Sequence, residues 1–201
     1  MIIHNMEQVS MEWFEIRLGK ITGSRLKQVM STKSLDLVDE LIDELETGRI
    51  SNDTFISEAM QRGTDLEPLA VQVYEDLKGI KTTQVGFIQS DTMPMVGLSP
   101  DRLIGDNGAL EVKCPDTKNH IRAIRHNKLP TQHLYQIIMY FIVHEKLEWL
   151  DFMSYDPRLI KRPVFIFRVN REDLSDKIEE CTESLEKFIT KFNKINDEIF
   201  F

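Results

Sequence analysis

Cysteine is scarce in this chain: among 201 residues there are two, Cys114 and Cys181, and neither has a partner nearby in sequence. Two thiols make no disulfide framework, and they are too few to suggest zinc or an iron–sulfur cluster. A reducing, cytoplasmic setting is the expected one. Long apolar runs are also missing. IIMYFIV, residues 137–143, is too short to cross a bilayer, so no membrane contact is expected. The opening MIIHNMEQVS lacks a basic stretch followed by a long apolar core, and no signal peptide is expected. His4, His120, His126, His133 and His144 show no paired metal-ligand spacing. A P-loop is absent too, which removes any indication of an ATPase or helicase. There is no internal repeat, no low-complexity tract and no Gly/Ser/Pro linker, so residues 1–201 read as a single domain.

An excess of positive charge is the last absence. Asp and Glu number 33 against 25 Lys and Arg, for a net charge of -8. That balance argues against a protein that coats nucleic acid by bulk charge. It leaves room for a local basic channel or for an acidic cluster that holds metal ions.

What is present is a patterned globular chain, 41% hydrophobic and 29% charged. Met11 to Leu18 is amphipathic through Trp13, Phe14, Ile16 and Leu18. TGSRLKQVM reads as a cap and a short helix. SLDLVDELIDELETG predicts a helix with apolar Leu37, Leu41 and Leu45, stopped by Gly48. A further helix is expected from about Thr54 to Lys78, interrupted at Pro68 and ended by Gly79. Strand patterns follow in TTQVGFIQ, MPMVGLS, DRLIG and ALEVK, separated by Gly, Pro and Asn-Gly. LPTQHLYQIIMYFIVHE returns to helix. LEWLDFMSY and RPVFIFRV predict two more strands, and Glu172 to Ile199 a long helix. The order implies an α/β fold: a mixed central sheet flanked by helices.

The chemistry gathers around GLSPDRLIGDNGALEVKCP, residues 97–115. Glu111 and Lys113 lie two apart on one strand and share a face. Asp101 joins that face through a three-residue loop or an equivalent bulge, not through a strict two-residue turn. A three-residue loop, Asp106-Asn107-Gly108, pairs Gly105 with Ala109 and Asp101 with Lys113, and Gly108 suits its left-handed position. Two carboxylates on one face repel each other unless positive charge lies between them. Lys113 supplies part of it, and Mg²⁺ or Mn²⁺ would supply more. An exposed hairpin with an ordinary cross-strand Asp–Lys pair is the plain alternative.

Asp101, nine intervening residues, then Glu111-Val112-Lys113 resembles the PD-(D/E)xK nuclease signature. LSPDRL…GALEVKCP, QHLYQIIMY and SYDPR, with WFEIRLGKITGS and RGTDLEP upstream, resemble the phage lambda exonuclease family, the YqaJ-like viral recombinases. The resemblance runs from about Trp13 into the last helix. It implies a restriction-endonuclease-like core and an Mg²⁺-dependent 5′→3′ exonuclease, with two ions and Mn²⁺ as a substitute. The substrate would be the ends of linear double-stranded DNA. A 3′ single strand would be left for a single-strand annealing protein, and a homotrimeric ring is implied. By the same resemblance Glu67, Asp101 and Glu111 hold metal with the Val112 carbonyl. Lys113 and Gln136 order the nucleophile, while Arg17, Ser24 and Ser99 hold a 5′-terminal phosphate.

Some of these residues have plainer readings. Thr64-x-x-Glu67 is a capping-box pattern, although Pro68 sits badly with it. Ser24 suits a helix N-cap and Ser99 a turn before Pro100. Tyr140, one helical turn from Gln136, is expected to pack in the core, as is Met60. The bases of KNHIRAIRHNK read as a solvated face or a phosphate track. A structure- or sequence-specific endonuclease of the same fold, and a non-catalytic DNA-end-binding protein, remain open from sequence.

Overall fold

β-branched and aromatic alternation at the end of the chain builds the sheet that carries the hairpin. In the computed structural model, which describes residues 1–32, 34–50 and 57–201, this sheet has four strands in the order β4-β5-β6-β7. They are β4 (Arg102–Ile104), β5 (Gly108–Lys113), β6 (Trp149–Tyr155) and β7 (Val164–Asn170). β4 and β7 run antiparallel to their neighbours, while β5 and β6 are parallel. A parallel pair needs a crossover. Here it consists of α5 (Thr117–His126), a 3-10 turn at Thr131–His133 and α6 (Leu134–Val143).

Each face of the sheet has its own apolar cluster. Leu103, Ala109, Leu150 and Phe152 pack toward α6, α2 (Leu26–Val29), α3 (Ser34–Thr47) and α7 (Ser175–Phe200). Ile104, Leu110, Val112 and Met153 pack with Ala70, Val71 and Tyr74 of α4 (Glu58–Lys78). Alternation on β5 therefore sends Leu110 and Val112 to α4 and leaves Glu111 on the α6 side. A second, antiparallel sheet joins β1 (Ile2–His4), β2 (Phe87–Gln89) and β3 (Gly97–Leu98). α1 (Met11–Arg17) begins at Ser10, whose hydroxyl accepts from the Trp13 amide.

The mixed sheet flanked by helices agrees with the sequence expectation, with several local corrections. β1 was not expected; three residues carry too short a pattern. Leu45 is half exposed on α3, where Val38 and Ile42 share the buried face with Leu37 and Leu41. α4 begins at the Ser57 cap and runs unbroken through Pro68, while residues 54–56 of the expected helix lie outside the described residues. Gly48 and Gly79 end their helices at φ +67° and +64°. The hairpin loop has three residues, but they are Gly105, Asp106 and Asn107: Ile104 pairs with Gly108 and Arg102 with Leu110. Gly105, at φ +56°, takes the left-handed position. Gly108 answers a different need, since a Cβ there would lie 2.4 Å from the Trp149 ring.

Candidate active site

The one-residue shift keeps the parity that the hairpin requires. Continuing the observed register sets Asp101 opposite Glu111 rather than Lys113, so Asp101, Glu111 and Lys113 still share one face. The Asp101 carboxylate accepts from the Val112 amide at 2.7 Å, which ties the loop before β4 to β5. Glu111 is fully buried. Its Oε1 accepts from the Lys113 amine and, at 2.6 Å, from the Gln136 amide; its Oε2 accepts from the Tyr140 hydroxyl at 2.5 Å. The same hydroxyl accepts from the Asp101 backbone amide at 3.0 Å. Gln136 and Tyr140, one turn apart on α6, thus reach the hairpin side by side.

Glu67 arrives from α4. The Arg62 guanidinium donates to the Cys114 carbonyl at 3.1 and 3.2 Å and holds α4 against the end of β5. Thr64 donates back to the Met60 carbonyl inside the helix, so the capping-box reading of Glu67 fails. Arg102, next to Asp101 in sequence, turns toward Glu67. Its guanidinium donates to Glu67 at 3.4 Å and to the Asp101 carbonyl. Glu67, Asp101, Val112 and Lys113 line one cleft of about 450 Å³, with Arg62, Met60 and His133 also on its wall. Met60 is 58% exposed there, against the expectation of a core position.

The electrostatics show incomplete compensation. Burial, then the charge of Glu111, pushes the Asp101 carboxyl well above the usual carboxylate range. Burial raises Glu67 as well, opposed by Arg102 and Lys113. Burial alone would lower Lys113, but Glu111 and Asp101 outweigh it and keep the amine charged. Burial, with Lys113 nearby, pushes His133 down to about 4.

These residues fit a hard divalent cation. The candidate donors are carboxylate oxygens and a backbone carbonyl, and added positive charge would oppose the burial and the Glu111 charge that together keep Asp101 prone to protonation. Among the described residues, no three His, Cys, Asp or Glu side chains already converge closely enough to cage an ion. Glu111 is engaged by its three donors and Glu67 leans toward Arg102.

Of the candidate phosphate residues, Arg17 and Ser99 meet through Trp13. The Arg17 guanidinium stacks 3.8 Å from the centre of the Trp13 ring, and the indole N–H donates to the Ser99 hydroxyl at 2.7 Å. Ser24 faces Thr22 at 3.3 Å and does not cap α2, whose N-cap is Arg25. The Gly23 backbone packs on Gln136, where a Cβ would lie 3.2 Å from Cγ. Ser24 therefore follows directly on a residue that packs against Gln136.

Tyr140 packs in the core as expected, fully buried with its hydroxyl satisfied, while its bond to Glu111 and the contacts of Trp13, Arg102 and Gln8 were not anticipated. The i, i+4 spacing from Gln136 was the available signal for Tyr140. Gln8 donates to the carbonyls of Val85 and Pro100, both at 3.0 Å, and pins the loop ahead of Asp101. Its partners lie 77 and 92 residues away, and no local pattern announces such a contact.

A family model described as a YqaJ-like viral recombinase domain matches residues 12–146. Among solved structures, the alkaline exonuclease LHK-Exo from Laribacter hongkongensis superposes with a TM-score of 0.85 at 35% identity, over 94% of this chain and 96% of that one. The complex of LHK-Exo with dAMP superposes equally well. A phage-related exonuclease from Haemophilus somnus 129PT shares the fold, with a TM-score of 0.61 at 13% identity, over 90% of this chain and 96% of that one. No curated protein matches.

Proposed function

From membership in the YqaJ-like viral recombinase family, to which the chain belongs, we propose that this protein is a metal-dependent deoxyribonuclease that digests linear double-stranded DNA in the 5′→3′ direction. It leaves a 3′ single-stranded tail for an annealing protein. The observation that carries the reading is the meeting of Glu67, Asp101 and Lys113 in one cleft, with Glu111 buried behind them under the hold of Gln136 and Tyr140. The dAMP complex of LHK-Exo supports a mononucleotide-sized product.

Glu67, Asp101, Glu111 and the Val112 carbonyl would hold Mg²⁺, one ion or two, with Mn²⁺ as a substitute. When bound, Mg²⁺ supplies a more acidic water and neutralises charge growing on the phosphate. Lys113 keeps its proton beside Glu111 and offers a fixed cation to the developing phosphorane. Gln136 orients Glu111 and, through its remaining amide atoms, the attacking water. Arg17, Ser24 and Ser99 receive the 5′-terminal phosphate, with Trp13 setting the guanidinium plane and the Ser99 hydroxyl. Residues 1–201 act as one nuclease domain, in the cytoplasm, as subunits of a trimeric ring. No described helix is long and apolar enough to cross a membrane.

Duplexes labelled at the 5′ or the 3′ end, with and without 5′ phosphate, test polarity and end recognition in Mg²⁺. Release of 5′ label first, faster with the phosphate present, is the expected outcome. Covalently closed circles should survive, and nicking of a closed circle would instead indicate an endonuclease. Asp101→Ala and Lys113→Ala should each abolish digestion while DNA binding persists. Full rates in both variants would remove these residues from the reaction.

A further inference from the structure

A basic surface lies beyond the acid cluster, on the far side of Lys113. Segments 116–128 and 156–162 together hold seven Lys or Arg and two Asp, on a chain whose net charge is -8. On α5, Lys118, Arg122 and Arg125 stand at i, i+4 and i+7, an exposed stripe opposite buried His120 and Ala123. The β6–β7 loop adds Arg158, Lys161 and Arg162, all exposed. Two contacts lock loop and helix together: His120 bonds the Arg162 carbonyl at 3.0 Å, and Thr117 donates to Asp156 at 2.6 Å.

The charges here are unspent. Elsewhere Lys81, Lys177, Lys187 and Lys194 each pair with a Glu. On this surface Arg158 alone has a carboxylate partner among the described residues, and it is Asp156 at the base of the loop. The surface continues into a cleft of about 330 Å³ lined by Lys113, Asn119, Arg122, His126 and Lys128, with no acid on its wall. That cleft shares Lys113, Asn119 and His133 with the acid-lined one. At the loop tip Ile160 is 88% exposed between the bases.

We propose that α5 and the β6–β7 loop form the track for the phosphate backbone of the duplex that lies ahead of the cutting site. This rests on the nuclease reading above. Single-strand grooves use aromatic side chains as stacking platforms. Segments 116–128 and 156–162 contain no Phe, Trp or Tyr, and Phe152 on the cleft wall is only 1% exposed, so duplex phosphates are the matching ligand. Ile160 is an apolar residue of the kind that presses into a groove between flanking phosphate contacts.

The test uses a short blunt DNA duplex and the full chain in an Asp101→Asn background, so that the probe survives. Fluorescence anisotropy across a salt series gives affinity and its salt slope. Lys118→Gln/Arg125→Gln/Lys161→Gln, whose residues line neither cleft, should bind about tenfold or more weakly. Its slope should be shallower by about 0.9 per lost phosphate contact. Lys187→Gln/Lys194→Gln on α7 serves as the control and should leave the slope unchanged. Equal affinity and slope in the triple variant and its parent would overturn the track and assign the surface to an acidic protein partner. The wild-type chain with Mg²⁺ provides the separate control. Digestion by it, with no effect of the triple variant, removes the track alone, whereas absence of digestion removes the nuclease reading itself.

Discussion

A single hydroxyl does unusual work in the acid cluster. Tyr140 donates to Glu111 and accepts from the Asp101 amide, so it links β5 to the loop before β4 that carries Asp101. Tyr140→Phe keeps the ring in its fully buried place and removes both bonds. If Glu111 holds metal as proposed, loss of a bond to it should cost about 10–100-fold in metal affinity or activity. Mn²⁺ titration and single-turnover digestion would measure it, and a variant equal to wild type in both would reduce Tyr140 to packing. Asp101, Glu111 and Lys113 were readable from the sequence because each occupies a fixed offset within one strand pair, whereas Gln136 was indicated by the family resemblance alone. The partners of Glu67 were harder to read. Arg102 is adjacent to Asp101 in sequence, yet whether it turns toward Glu67 depends on where α4 lies, and no local pattern encodes that.

At the level of elements, β5 is the axis on which the cluster turns, and its position against β6 is set by close contact. Gly108 abuts the Trp149 ring, and Arg168 stacks on that ring at 3.8 Å. Gly108→Ala should therefore cost about 1–3 kcal/mol through overpacking, read as a lower urea midpoint at unchanged slope. The hairpin was legible in its parity and not in its register. Asn107-Gly108 advertises a turn, but the packing on Trp149 claims Gly108 for the strand and Gly105 bends the chain instead. α5 shows a similar dependence on distant residues. Burial opposes ionisation of Asp156, but bonds from Arg158 and Thr117 outweigh it and hold the carboxyl at about 2. The folded value lies below the ordinary 3.8. Its stabilisation is thus complete above about pH 4 and is lost as pH falls toward about 2. Asp156→Asn should lower stability at neutral pH and flatten that acid limb, as urea titrations across pH would show.

For the whole molecule, like charges have been concentrated where a cation can answer them. Metal-free protein should carry a standing penalty from Asp101, Glu111 and Glu67. Divalent ions that bind only the folded state add stability by mass action, about 2.7 kcal/mol at a hundredfold excess over Kd. Mg²⁺ should raise the melting temperature of wild type, and EDTA should reverse the gain. Asp101→Asn should melt higher than wild type without metal and respond little to its addition; an equal response in both would place the ion elsewhere. The mixed sheet and the order of helices were legible from periodicity over long segments. β1 was not, because its pairing with β2 joins Ile2 to Gln89, a contact across the chain that three residues cannot signal.

The separation of partners along the chain also orders the birth of the site. Asp101, Glu111 and Lys113 lie within one short hairpin, so the repelling acids and the amine that tempers them are assembled locally and at little loop-closure cost. β6 can dock beside β5 only after the crossover through α5 and α6 has formed, and long-range parallel pairing of this sort is slow. In refolding, the hairpin should therefore gain structure before Gln136 and Tyr140 arrive to clasp Glu111. The growing chain would carry its cutting edge in half-built form until the crossover closes over it.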